Sequence, residues 1–424
     1  MRVPLELDVA RLRDAHKKRI EEAKREVPLE EEYKGALAKV EDLIKLIGDL
    51  LTTRRVSAAF SQAKTMLYDP EFAETADKLY PYLFPIANQK VTDLRDGMVI
   101  DRTKEHRFTF ASSVAYDGNL KQETPHADSF FLSVMNNDVS MFEYIRKQLG
   151  YCLTGEVSSR CFFIWYGALG SNGKGTVARL LKLIMKKFYV QISKDAAIAC
   201  ERKASAGSCT PHLIPLMNAR LAMVSETAAD DTISEDLVKT WTGNDPLSVR
   251  QLYGEQMEIE TQAKLVMQTN NKPGCSGHSA MQDRTHFMPF YARFTPEGKG
   301  VGESKSDPEL IRRLQSDYLD EVFLWILKGS VEWYKTESLT MPAIAKLETE
   351  RYFEEIDVVG NWLECSTNNT GNTARADLYK DFKCFCDDNE LTLLTANKFY
   401  SALINKHYTI GRGGARNVSN LALN

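Results

Sequence analysis

Residues Gly167, Ala168, Leu169, Gly170, Ser171, Asn172, Gly173, Lys174, Gly175 and Thr176 follow directly on the apolar run 161–166. Val177, Leu180, Leu181 and Ile184 then recur at helical spacing, which places the glycine-rich stretch at a strand-to-helix turn. Glycines there let backbone N–H groups approach a polyphosphate, the helix start favours negative charge, and Lys174 can neutralise the outer phosphates. The fit to G-x-x-x-x-G-K-[ST] is imperfect: the first glycine is Gly167 where Ala168 would be expected, and Gly175 follows the lysine, so Thr176 is the hydroxyl offered to Mg²⁺. The bland alternative is a glycine-rich turn with a surface lysine.

Two further apolar runs, 221–224 and 265–267, end in groups that suit a phosphate site. The first reaches Ser225 and Glu226, and a carboxylate at a strand end beside a terminal phosphate can orient water or assist a metal. The second reaches Asn270 and Asn271, and ligands of open α/β sheets bind outside such strand ends. Asn270 can hold an attacking water or sense a phosphate. The competing reading is that both asparagines only turn the chain before Pro273.

Buried strands separated by crossovers predict an α/β domain with a largely parallel sheet. Around it, 5–51 reads as two charged helices divided at Pro28, 57–80 as another helix, and 81–124 as short strands with turns at Asp96-Gly97 and Asp117-Gly118. A helix over 141–149 precedes the first core strand. Beyond a glycine-rich loop at 296–304, helices are expected at 308–334 and 344–355. The last segment reads as helices over 374–386 and 395–406, then strands 408–410 and 419–423 flanking a glycine-arginine tip. The domains expected are 1–138 (accessory), 139–300 (core), 301–356 (helical connection) and 357–424 (winged helix).

The 424 residues, 43% hydrophobic and 26% charged, fit a globular chain of several domains. No apolar run spans a bilayer and no signal-type stretch opens the chain, so no membrane partner and an intracellular location are expected. The eight cysteines show no framework spacing; Cys384 and Cys386 form a CxC without a second pair, which argues for reduced thiols over a metal site. Net charge is −4, so any nucleic-acid contact must come from basic groups concentrated on one surface.

The series from Gly170 to Lys174, Ser225-Glu226-Thr227, the stretch 239–253 and Gln268 to Pro273 resembles the superfamily 3 helicases of the poxvirus and satellite-phage primase-helicase type. The likeness is strongest over 139–294 and weakest before Tyr80. It implies a P-loop, AAA+-like core with ATP and Mg²⁺ as cofactors, and a hexameric DNA helicase moving on single-stranded DNA at replication forks of a virus, phage or mobile element. A bacterial cytoplasm or a viral replication compartment is the implied location, and a primase or polymerase module is an implied partner. Lys174 is then the phosphate-binding lysine, Glu226 the catalytic carboxylate and metal neighbour with Thr176, and Asn270 the sensor. Arg284, in the arginine-to-Pro-Phe segment 283–290, is the arginine finger supplied to a neighbouring subunit, with Arg293 as fallback.

The resemblance also implies that 239–253 forms a pore-facing hairpin. Lys239, Arg250 and Tyr253 suit phosphate contact and base stacking, against the alternative that the two cations only form ion pairs. Lys398, Lys406, Arg412 and Arg416 fall on the last helix and wing, where duplex contacts or protein docking would be made. Three other classes stay open: a nucleotide kinase, a replication initiator or loader that does not unwind, and an ATP-dependent ring that never touches nucleic acid.

Overall fold

The computed structural model describes residues 52–199, 210–228, 231–250, 254–275, 279–300, 302–368, 371–389, 391, 393–411, 417–419 and 421–423, with scattered helical positions between 18 and 48. The expected helices flanking Pro28 lie largely outside the described residues. The chain divides into two compact units, 1–74 and 75–424. In the first, helix α1 (Thr53–Met66) carries exposed Phe60 and Met66. The helix expected over 57–80 therefore stops at Met66, where Leu67 and Tyr68 lead to Asp69-Pro70, and proline removes an N–H and disfavours helix in the residue before it.

The second unit is built on five parallel strands: β4 (Phe162–Tyr166), β5 (Tyr189–Ile192), β6 (Leu221–Ser225), β9 (Lys264–Thr269) and β10 (Thr285–Pro289). Their order is β10-β4-β9-β6-β5. Alternate side chains serve opposite faces, as a strand's two-residue period requires. Phe163, Trp165, Met223, Val266 and Met288 enter one core. Phe162, Ile164, Ala222, Val224, Leu265, Met267 and Phe287 enter the other.

The first face is covered by helices α3 (Val139–Leu153), α4 (Lys174–Met185) and α7 (Leu319–Thr336), with α2 (Pro125–Val134) beside α7. α3 and α7 approach at backbone distance. A Cβ at Gly150 would strike the backbone of Ser330, and one at Gly329 would strike Arg146. The antiparallel sheet β1 (Leu83–Ile86), β2 (Lys90–Asp93) and β3 (Val99–Asp101) joins the same core through Phe84, Ile86 and Leu94, so the core runs unbroken across residue 138. The second face carries α5 (Glu235–Gly243), the hairpin β7 (Leu247–Arg250) and β8 (Gln256–Ile259), and Tyr352 and Phe353 of α8 (Ala343–Ile356).

Several sequence expectations change. β5 and β10 were not anticipated: β5 is four residues long, and the apolar character of β10 is masked by Thr285, His286 and Pro289 although all five residues are buried. The turn at Asp96-Gly97 does join β2 to β3, with Gly97 at φ +79°, whereas Asp117-Gly118 turns the chain without joining two strands. The loop at 296–304 ends in a strand, because β12 (Glu303–Lys305) pairs in parallel with β11 (Arg293–Thr295). The helix expected over 308–334 is two, α6 (Pro308–Leu314) and α7.

Among the described residues the C-terminal segment has three helices, α9 (Val358–Ser366), α10 (Arg375–Asp388) and α11 (Ala396–Asn405), around Trp362, Phe382 and Phe399. Two short antiparallel sheets are described with it: β14 (Asn372–Ala374), β16 (Asn417–Ser419) and β15 (Thr409–Ile410) in one, β13 (Thr367–Asn368) with β17 (Ala422–Leu423) in the other. The hairpin partner of β15 is thus 417–419, not 419–423.

Candidate functional site

The strand order reverses around β4. The chain leaves it through α4 for the far edge β5, while β9 and β10 flank it. Open α/β sheets bind ligands outside the carboxyl ends of strands at such a point. The loop after β4 is anchored there by Gly167 N–H to Thr269 O (3.2 Å), and its neighbour Tyr166 accepts from Phe290 N–H (2.7 Å). A side chain at Gly167 would meet the Asn172 carboxamide and the Lys174 ammonium, so it would have to displace the two groups that line the loop. Ser171 and Gly173 have φ of +61° and +87°. Buried Asn172 donates to Leu169 O at 2.7 Å and braces the turn from within. A Cβ at Gly170, by contrast, would meet nothing within 4 Å. That side of the loop is open, as an anion cradle of backbone N–H groups needs to be.

Lys174 opens α4 and is 3% exposed. Its Nζ donates to Gly167 O at 3.3 Å and to Asn270 Oδ1 at 3.1 Å. Burial without a carboxylate partner lowers its pKa from 10.5 to about 8. The structure thus brings Lys174 and Asn270 together and separates the two asparagines by role. Asn271 donates to Thr227 O (2.8 Å) and its N–H bonds Thr269 Oγ1 (2.9 Å), so Asn271 makes the turn and Asn270 faces the lysine.

Glu226 stands one residue past β6, exposed, at φ +59°, with its N–H bonded to Gln268 O at 2.9 Å. Buried Thr227 and Thr269 share a hydroxyl contact of 2.5 Å that ties the ends of β6 and β9 together. Neither threonine was singled out from the sequence. Ser225 accepts from Gln191 at 2.7 Å. Thr176 lies half-buried in the first turn of α4. Among the described residues no group of three or more His, Cys, Asp or Glu converges on a metal-sized site. Of the CxC pair, Cys384 is exposed and Cys386 buried.

Arg284 immediately precedes β10, at the opposite end of the sheet from its own loop, because Thr285 pairs with Phe162 and Pro289 with Tyr166. The five strand residues between Arg284 and the loop end of the sheet span roughly 16 Å. Its Nε donates to Thr242 Oγ1 and its Nη1 to Ala280 O, each at 3.1 Å. Arg293 lies on the loop side instead: it pairs with Glu303 at 3.3 Å, and the next residue, Phe294, donates to Ser171 O at 2.8 Å. The fallback finger is therefore beside its own loop.

The stretch 239–253 holds the end of α5 and the first strand of a hairpin whose return strand β8 lies beyond it; Arg250 stands opposite Gln256 at the tip end, and Tyr253 lies outside the described residues. Arg250 Nε donates to Gly254 O at 3.1 Å, and Lys239 forms an ion pair with Glu235 at 3.0 Å along α5. Lys398 is exposed on α11, whereas Lys406 is paired with Asp357 at the start of α9. Arg412 and Arg416 lie outside the described residues. Two buried cations also escaped the sequence reading. Arg220 donates to Leu83 O (2.9 Å), Leu153 O (3.1 Å) and Tyr80 O (3.2 Å), and Lys264 to the carbonyls of Thr154, Glu156 and Gln262. Burial lowers their pKa values to about 9 and about 7. A charged residue at the start of each buried strand was the available signal.

A family model described as D5 N terminal like matches residues 8–136. "Putative helicase L207/L206" of Acanthamoeba polyphaga mimivirus is 25% identical over 358 residues, covering 81% of this chain and 37% of the relative. The chain is thus similar to viral proteins named as putative helicases and carries a D5 N terminal like region. "Putative helicase 022R" of Frog virus 3 is 29% identical over 209 residues, 47% of this chain and 21% of its own length. The chain spans between about a fifth and two fifths of the length of those relatives. The family match falls partly before Tyr80, where the motifs are sparsest. Two apo structures of the NrS-1 C-terminal region align over 79% of the chain and 83% and 82% of theirs, at 12% identity and TM-scores of 0.44 and 0.45. Among the described residues no helix is long and apolar enough to cross a membrane.

Proposed function

We propose that the chain is the motor portion of an ATP-dependent, ring-forming DNA helicase of superfamily 3 that serves viral or mobile-element replication. The observation that carries this reading is the convergence of Lys174 and Asn270 at 3.1 Å at the mouth of an open glycine loop. ATP's outer phosphates would displace the carboxamide from the lysine and leave Asn270 to sense the terminal phosphate. Thr176 and Glu226 suit a Mg²⁺ ion that is held mainly by phosphate oxygens. Such an ion would neutralise charge on the β- and γ-phosphates. Glu226, exposed at the strand end, would orient the attacking water.

Arg284 is too far from its own loop to serve it, which favours a role in trans and hence a ring, with the hexamer as the expected form. An arginine supplied in trans is worth roughly 10³–10⁵ in rate. The β7–β8 hairpin would carry Arg250 and Tyr253 to the pore, and the C-terminal helices and small sheet would form the winged helix, with Lys398, Arg412 and Arg416 toward duplex DNA. Lys406 drops out, because Asp357 already holds it. Fork unwinding with ATP and Mg²⁺ tests the reading: strand displacement lost in Lys174→Ala and Arg284→Ala supports it, and ATP turnover without displacement would leave a loader instead.

A further inference from the structure

We propose that a cavity of about 280 Å³ beside the loop seats the nucleotide's base, and that Asn136 and Asn137 at its rim select adenine over guanine. The proposal rests on the reading of the loop as a phosphate site and adds the base and its specificity. The cavity is walled by Met135, Met141, Pro289, Tyr291 and Ile344. It adjoins the loop on one side. Val134 packs on the loop, where a Cβ at Gly173 would come within 2.7 Å of it, and Pro289 pairs with Tyr166, the residue from which the loop springs.

The direction follows from the sheet. Asn270 and Glu226 stand at the ends of β9 and β6, on one side of β4, and β10 with the cavity stands on the other. A polyphosphate whose terminal group faces Asn270 and Glu226 must hand its nucleoside out toward β10. The cavity is where that path arrives, with proline, methionine and isoleucine walls and an aromatic face at Tyr291 suited to a flat ring.

The two asparagines carry the specificity argument. They end α2 at φ +54° and +60°, and their backbone N–H groups close the helix on Ser133 O (3.0 Å) and Leu132 O (2.9 Å). The helix end thus accounts for their backbones. It leaves both side chains exposed at the rim, and neither carboxamide bonds another described residue. Adjacent Asp138, in contrast, is occupied as the cap of α3, accepting from Met141 N–H at 2.9 Å. A carboxamide presents one acceptor and one donor side by side, which complements the N6 amino group and N7 of adenine, whereas guanine offers two acceptors at O6 and N7.

The test is displacement of a ribose-labelled fluorescent ATP analogue by ATP, GTP and inorganic triphosphate, on the full chain. The double variant Asn136→Gly with Asn137→Gly keeps the left-handed backbone that the helix end needs and removes only the carboxamides. The wild-type chain is expected to prefer ATP over GTP by about tenfold or more, and the glycine variant to lose that preference, with triphosphate affinity unchanged in both. Tyr291→Ala should weaken both nucleotides by about tenfold and leave triphosphate alone. Equal ATP and GTP affinity in the wild-type chain, or an undiminished preference in the glycine variant, overturns the base assignment while triphosphate binding keeps the phosphate site standing. Failure of triphosphate and both nucleotides to compete would remove both.

Discussion

Lys174 offers a prediction that needs no assembly and no DNA. Within the loop its ammonium is buried against two neutral oxygens, and its pKa falls to about 8. A bound polyphosphate supplies the missing negative charge and should return the group to at least its ordinary value of 10.5. That recovery couples binding to protonation by roughly 3 kcal/mol. At pH 8 about half of the empty sites are neutral, so binding should take up about half a proton; at pH 9 it should take up about nine-tenths, and at pH 6.5 almost none. Apparent ATP affinity should be nearly flat around pH 7 and fall by about fivefold between pH 8 and 9. The terminal phosphate's own titration, near pH 6, is complete in that window. Calorimetry in buffers of different ionisation heat measures the uptake directly. Lys174→Arg, always charged, should bind without it. Nucleotide binding to the wild-type chain with no proton uptake at pH 8–9 would refute the reasoning.

Other outcomes follow from particular contacts. Gly150→Ala forces a methyl group into the Ser330 backbone and should cost about 1–3 kcal/mol in denaturant unfolding; an unchanged midpoint would deny the close α3–α7 crossing. Lys264, lowered to about 7 in the folded chain and ordinary at 10.5 when unfolded, binds fewer protons folded than unfolded between those values. Stability from this group should therefore rise with pH from about 7 toward 10.5, and Lys264→Met should flatten that rise in melting curves. Arg250→Ala should weaken single-strand DNA binding and reduce its salt slope by about one; an unchanged slope would remove Arg250 from the interface.

What was legible in the sequence had a strong local cause. β4, β6 and β9 announce themselves because strands buried on both faces must be continuously apolar, and the loop because its glycines sit between a strand and a helical repeat. The convergence of Lys174 on Asn270 rests on strand order, which the spacing of 96 residues between them does not encode. β10 stayed hidden because its polar residues find partners off the strand: His286 meets Tyr144, 142 residues away, and Thr285 donates to Met281 O at 2.7 Å in the turn just before the strand. Lys406 looked like a nucleic-acid contact because sequence shows a charge and not its partner, and Asp357 lies 49 residues away. The sequence ranks Arg284 above its fallback Arg293 but places neither in space; β10 lies between them and sets Arg284 away from the loop and Arg293 beside it.

The central claim is that one subunit's Lys174 loop and another's Arg284 make a working site. Mixing Lys174→Ala with Arg284→Ala protein and measuring ATP turnover tests it most directly. Each variant alone is expected to be inactive, and the mixture to regain turnover, since some interfaces then combine an intact loop with an intact arginine. A mixture as inactive as its parts, or a wild-type rate per subunit that stays constant on dilution to monomer, would contradict the claim.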